Sequence, residues 1–161
     1  MAVDGLPLST FKTLVRVQKA NGVKLIQGSE GIKRARELVQ EIGDAIRMRI
    51  ASIVATSTAF SVMSDGSQAR KTASEKELVL VRTVRDGCVV TLVAALQDVD
   101  EYGDATAENL KRAIDDVFQK KVPLPQDRYT TGMVCATADG ASVNTGIYNG
   151  LLVRFKNAGY S

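Results

Sequence analysis

Histidine is absent from this 161-residue sequence. That removes Ser-His-Asp and Cys-His nucleophilic sites, and His-containing zinc fingers, from the chemistry the chain can supply alone. No apolar run approaches the roughly 18 residues a membrane-spanning helix needs, so no membrane partner is expected. The opening Met1-Ala2-Val3-Asp4-Gly5 lacks the charged-then-apolar order of a secretory signal. Cysteine is scarce. Cys88 and Cys135 both fall in apolar, strand-like runs, where free thiols pack as small hydrophobes, and a reducing, intracellular setting is the simplest expectation. Internal repeats and low-complexity tracts are missing too.

What is present is ordinary for a soluble globular chain: 45% hydrophobic and 24% charged residues, with a net charge of +3. The length suits one domain with a core, or a core with a helical appendage. A mild positive charge permits a nucleic-acid partner but is not an electrostatic footprint without clustering on one face. Lys33-Arg34-Ala35-Arg36, the densest cluster in the N-terminal half, reads as a solvated helix face.

Two helices open the chain. Ser9-Thr10 can cap one that carries Phe11, Leu14 and Val15 and stops near Asn21-Gly22. Ser29 can cap a longer one, with Ile32, Ala35, Val39, Ile42, Ala45, Ile46, Ile50 and Ile53 at steps of three and four. Residues 1–55 therefore read as a helical prefix. From residue 56 the texture changes to short β-branched runs. Phe60 to Ser64 ends on Asp65, and Leu78–Val81 and Val89–Leu96 are joined by "RDGC", the strongest short-range hairpin signal. "DATAENLKRAIDDVFQKK" places Leu110, Ala113, Ile114, Val117 and Phe118 on one helical stripe, ended by Val122-Pro123-Leu124-Pro125. A strand from Met133 to Ala136 follows. A last helix, capped by Ser142, then carries Ile147, Leu151 and Phe155, with Gly146 and Gly150 allowing close approach to a sheet.

The order β-β-β-α-β-α after residue 56 predicts an antiparallel meander and then a right-handed crossover to a parallel strand. If the fourth strand settles beside the first, the sheet is mixed α/β with strand order 3-2-1-4. "FSVMSDGS" and "TADGASVNTG" then set Asp65 and Asp139 at the ends of parallel neighbours, about 4.8 Å apart. Carboxylates that close repel, and a divalent cation relieves the conflict, with hard oxygens selecting Mg²⁺ or Mn²⁺. Taken singly, each Asp-Gly is a plain turn. In this order Cys88 and Cys135 are separated by two strands and cannot bridge.

"FSVMSDGS", the hairpin and "TADGASVNTG" together resemble the catalytic core of hAT-superfamily DNA transposases and of the zinc-finger proteins domesticated from them. "GLPLSTFKTLVRVQKANG" is similar to the helical segment before that core in the domesticated branch, so the resemblance covers nearly the whole chain. It implies an incomplete ribonuclease-H-like fold over residues 56–161, a DNA partner, a nuclear location, and a metal-binding triad in which Asp65 matches the first acid and Asp139 the second. The implied cofactor is Mg²⁺ or Mn²⁺. The third acid, a glutamate, and the region through which such proteins form homo-oligomers are expected beyond Ser161. Relatives often read "DGSTD" where this chain has Asp65-Gly66-Ser67-Gln68-Ala69, so one accessory acid is missing. The expected function is a transposase-derived domain fragment without autonomous catalysis, its ancestral role being DNA binding and strand transfer, with no small-molecule substrate.

Two other classes stand beside this reading. One is a phosphotransferase or ATPase of actin-like architecture, with Asp65-Gly66-Ser67 as a phosphate loop, although "DGASVNTG" is poor in glycine for a second. The other is a non-catalytic protein-interaction module. Ser142 and Asn144 read as helix caps, Tyr148 as a locally packed ring, and Arg70 and Lys71 as an exposed loop that can meet a phosphate backbone.

Overall fold

The structure, a computed structural model, describes residues 7–25, 28, 31–68, 75–139 and 142–159. Ser29, Arg70 and Lys71, and the side chain of Ser142, lie outside the described residues. The chain divides into two compact units, Met1–Ile46 and Arg47–Ser161, and the division falls inside a helix.

The first unit holds α1 (Phe11–Ala20) and the start of α2 (Ile32–Thr56). Asn21 and Gly22 end α1 as expected, with Gly22 in the left-handed region and the Val23 amide closing back on Gln18. The expected Ser9-Thr10 cap does not form. Leu8–Thr10 is a 3₁₀ turn, and the Thr10 hydroxyl bonds to the Pro7 carbonyl. On α2 the cationic cluster is solvated, with Arg34 bridging Glu37 and Glu41 at 3.2 and 3.3 Å.

The second unit is a four-stranded mixed sheet with helices. Its strands are β1 (Phe60–Gln68), β2 (Glu75–Arg85), β3 (Cys88–Asp98) and β4 (Met133–Thr137), in the order β3-β2-β1-β4. The β2–β3 hairpin turns on Asp86 and Gly87, both at positive φ as a tight primed turn requires. Alternation along β2 buries Glu77, Val79, Val81 and Thr83 on one face. A bulge on β3 at Ala94 lets both Ala94 and Ala95 turn inward.

That face packs against Ile50, Ala51 and Val54 from the end of α2 and against α3 (Ala107–Asp116). The predicted stripe of Leu110, Ala113, Ile114, Val117 and Phe118 is buried, and Thr106 caps the helix by accepting from the Asn109 amide. Cys88 and Cys135 are free, as expected, but both are exposed rather than packed, because Cys135 lies on the face of β4 turned away from the core and Cys88 lies at the hairpin end of β3, beyond its buried part.

Two elements depart from the sequence pattern. A short helix, α4 (Gln126–Gly132), follows Pro125 and inserts Tyr129 into the core, stacked on Phe118 at 4.8 Å. The expected last helix is broken into α5 (Ser142–Thr145) and α6 (Leu151–Asn157). A Cβ on Gly150 would lie 2.5 and 2.6 Å from the Gly146 backbone, so the two glycines close a turn on each other rather than approach the sheet. Leu151 and Phe155 are buried on α6 as predicted, whereas Ile147 and Tyr148, on the turn, are more than four-fifths exposed.

Candidate functional site at the carboxyl ends of β1 and β4

β1 and β4 pair in parallel, from Phe60 opposite Met133 to Met63 opposite Thr137. Asp65 and Asp139 each lie two residues beyond that last pair, so both emerge at the same end of neighbouring strands. Asp65 does not end its strand, as the sequence suggested. β1 runs on to Gln68, held by antiparallel pairing with β2 in which Asp65 faces Leu78. Its side chain is exposed, and by alternation it stands on the face opposite Ser64 and Gly66.

Asp139 is also exposed, and its Oδ1 accepts from Asn144 Nδ2 at 2.6 Å. Asn144 therefore orients the carboxylate from α5 rather than serving as a plain helix cap. Among the described residues, no three His, Cys, Asp or Glu side chains are grouped closely enough to hold a metal ion.

A third carboxylate sits on the core side of this edge. Glu77 on β2 is 2% exposed and stands directly opposite Gly66 on β1 and Gln97 on β3. A Cβ on Gly66 would lie 3.1 Å from Glu77 Oε2, so the absent side chain leaves the space in which this carboxylate rests. Burial pushes the Glu77 carboxyl above the usual carboxylate range. A hydrogen bond with Ser64 opposes the shift, and repulsion from Asp139, Glu75 and Asp65 adds to it.

Gln97 continues the polar row. It is 3% exposed, and its Nε2 donates to the Tyr102 hydroxyl at 3.2 Å, which donates to Asp116 Oδ2 at 2.7 Å. Burial, and next the bond to Asp116, push the Tyr102 hydroxyl up to about 12. Lys120, at 2.5 Å, is the chief cause holding the Asp116 carboxyl below its ordinary value.

Neither Glu77 nor Gln97 stood out in the sequence. In "SEKELVLV" Glu77 looks like one of several solvated charges. The signal was the period of two, since counting back from Val81 and Val79 puts Glu77 on the buried face.

Comparison of the sequence with known protein families and with curated proteins found no match to either. Among the described residues no helix is long and apolar enough to cross a membrane.

Proposed function

We propose that this chain is a ribonuclease-H-like domain of hAT-transposase type that engages DNA and does not cut it unaided. The observation that carries the reading is the parallel pairing of β1 with β4, which brings Asp65 and Asp139 to one end of the sheet. Carboxylates at neighbouring parallel strand ends suit Mg²⁺ or Mn²⁺, which bind through one or two carboxylates and keep several waters. Asp65 and Asp139 would hold the ion, which neutralises charge on a phosphodiester when bound. The chain's own contribution is to orient Asp139 through Asn144 and to fix Asp65 within a paired strand. The accessory acid common in the resembling proteins is replaced by Ala69. With two carboxylates and no third grouped with them among the described residues, the site suits metal-assisted contact with DNA more than strand cleavage.

The test is duplex-DNA binding by fluorescence anisotropy at two salt concentrations, paired with a cleavage assay in Mn²⁺. Salt-sensitive binding without cleavage is expected. Absence of binding at low salt would remove the DNA reading. Mn²⁺-dependent cleavage abolished by Asp139→Asn would show that the domain is an active nuclease.

A further inference from the structure

β3 is an edge of the sheet, paired with β2 on one side only. An open edge is a template for another strand, and natural proteins guard such edges with lysine, proline, charge or a covering element. From Cys88 to Gln97 this edge carries no charged residue, proline or glycine. The bulge at Ala94 interrupts it, which leaves Cys88–Val93 as the regular stretch.

Hydrogen-bond alternation fixes which backbone groups face outward. Asp86 and Gly87 form a two-residue turn, so Arg85 and Cys88 close it as a hydrogen-bonded pair. Counting on from that pair, Val84–Val89, Arg82–Thr91 and Leu80–Val93 are the non-hydrogen-bonded pairs. Val89, Thr91 and Val93 therefore turn their N–H and C=O groups to the open side. Their side chains all stand on the face away from the core, with Val89 and Val93 each 60% exposed.

These three positions are symmetric about Thr91. An antiparallel copy of β3 across a twofold axis at Thr91 sets Val89 opposite Val93 of the second copy, and Thr91 opposite itself. In each such pair the outward N–H and C=O groups meet and form two hydrogen bonds. β-Branched and Thr–Thr pairs are favourable cross-strand neighbours, and no charged residue lies on the seam. Register with β2 extends the apolar row, since Val84 stands opposite Val89 and Leu80 opposite Val93.

We propose that two copies of this chain associate through β3, paired antiparallel about Thr91, so that two four-stranded sheets become one continuous sheet. A contact of this kind uses the same edge in both copies and closes at a dimer. So short a stretch falls below the roughly 20–30 residues a side of a standard interface, which makes the dimer weak and concentration-dependent. β3 lies at the opposite edge of the sheet from β4 and Asp139, so the pairing does not depend on the function proposed above.

Sedimentation velocity of the full chain in reductant, from about 10 μM to about 500 μM, reads the balance of monomer and dimer. The wild type is expected to pass from monomer to dimer across this range. Thr91→Lys sets two ammonium groups against each other on the axis and is expected to weaken dimerisation at least tenfold. Thr91 is exposed, so circular dichroism of that variant should match the wild type. A second measurement uses a background of Cys88→Ser and Cys135→Ser. There Thr91→Cys is expected to form a covalent dimer when copper–phenanthroline accepts the thiol electrons, because paired Cα atoms about 5.5 Å apart are within disulfide reach. Arg82→Cys, one strand in from the seam on the same face, is expected to stay uncrosslinked.

A wild type that is monomeric throughout would overturn the proposal and leave the edge to a strand of a different protein. Unchanged dimerisation of Thr91→Lys, or growth beyond a dimer, would overturn it as well. Equal cross-linking through Arg82→Cys would replace edge pairing with face-to-face stacking of the two sheets.

Discussion

Gly66 and Glu77 face each other across the β1–β2 pair, and a Cβ at position 66 would stand 3.1 Å from Glu77 Oε2. The contact is tighter than ordinary van der Waals packing, and the atom it meets belongs to a carboxylate buried against the sheet. Gly66→Ala is therefore expected to cost about 1 kcal/mol by overpacking, despite the entropy alanine removes from the unfolded chain. In a Glu77→Ala background the same change should be neutral or stabilising. A double-mutant cycle by urea denaturation measures the coupling, and strict additivity would mean that the two residues do not share this space.

Gly150 meets a harder obstacle. Its absent Cβ would lie 2.5 to 2.8 Å from backbone atoms of Gly146 and Asn144, none of which can swing aside. Gly150→Ala is expected to cost about 2–4 kcal/mol and to loosen the turn between α5 and α6. A thermal melt within a degree of the wild type would show that the two helices are not joined in this way.

Arg128 on α4 ties the end of α2 to the sheet. Its guanidinium donates to the Val54 carbonyl at 3.2 and 3.3 Å and to the Thr58 carbonyl at 3.3 Å, bonds to Ser57, and lies 5.7 Å from the centre of the Phe60 ring. A planar fork of donors suits the orphan carbonyls at a helix C-terminus, and a lysine ammonium cannot reproduce it. Arg128→Ala is expected to lose about 2–3 kcal/mol, with Arg128→Lys recovering less than half. Equal stability of the lysine variant and the wild type would count against the fork geometry.

The Asp116 carboxylate accepts from both Tyr102 and Lys120, and its folded-state pKa lies below the ordinary 3.8. A depressed pKa means that the stabilisation is present above 3.8 and lost as pH falls through the folded value. Asp116→Asn should therefore cost about 1 kcal/mol near neutrality, a modest figure because Lys120 is largely solvated. The gap between variant and wild type should close below pH 3.8. Chemical denaturation at several pH values checks both the size and the direction.

Cys88 and Cys135 are exposed on strands separated by β2 and β1 in the sheet order. Both thiols are expected to react with a chromogenic disulfide reagent in the native protein, giving a count of two without denaturant. A count of zero in denaturant without reductant would mean a disulfide and a different strand order.

Much of the second unit was legible in the residues because the rules involved are local. "RDGC" demanded positive φ at adjacent positions, which Asp86 and Gly87 adopt, and the apolar stripe of α3 needed only a period of 3.6. The strand order followed from a short hairpin and a crossover helix, since chain connectivity and handedness leave few alternatives. Asp65 and Asp139 could be set at one edge on that basis.

Other features depended on what each segment meets in space. α4 forms where Tyr129 can stack on Phe118 and Arg128 can reach the end of α2, contacts that no local pattern encodes. The break between α5 and α6 depends on backbone closure between Gly146 and Gly150, where a helical period alone reads straight through. Glu77 shows the difference most directly. Its alternation with Val79 and Val81 was written in the sequence, but its meaning was not, because a buried carboxylate is set by its neighbours. Cross-strand register puts Gly66 on one side of Glu77 and Gln97 on the other, and Gln97 in turn donates to the Tyr102 hydroxyl. Periodicity determined which face each residue would take, and tertiary pairing decided which polar groups would share that face, because register is a relation between distant strands.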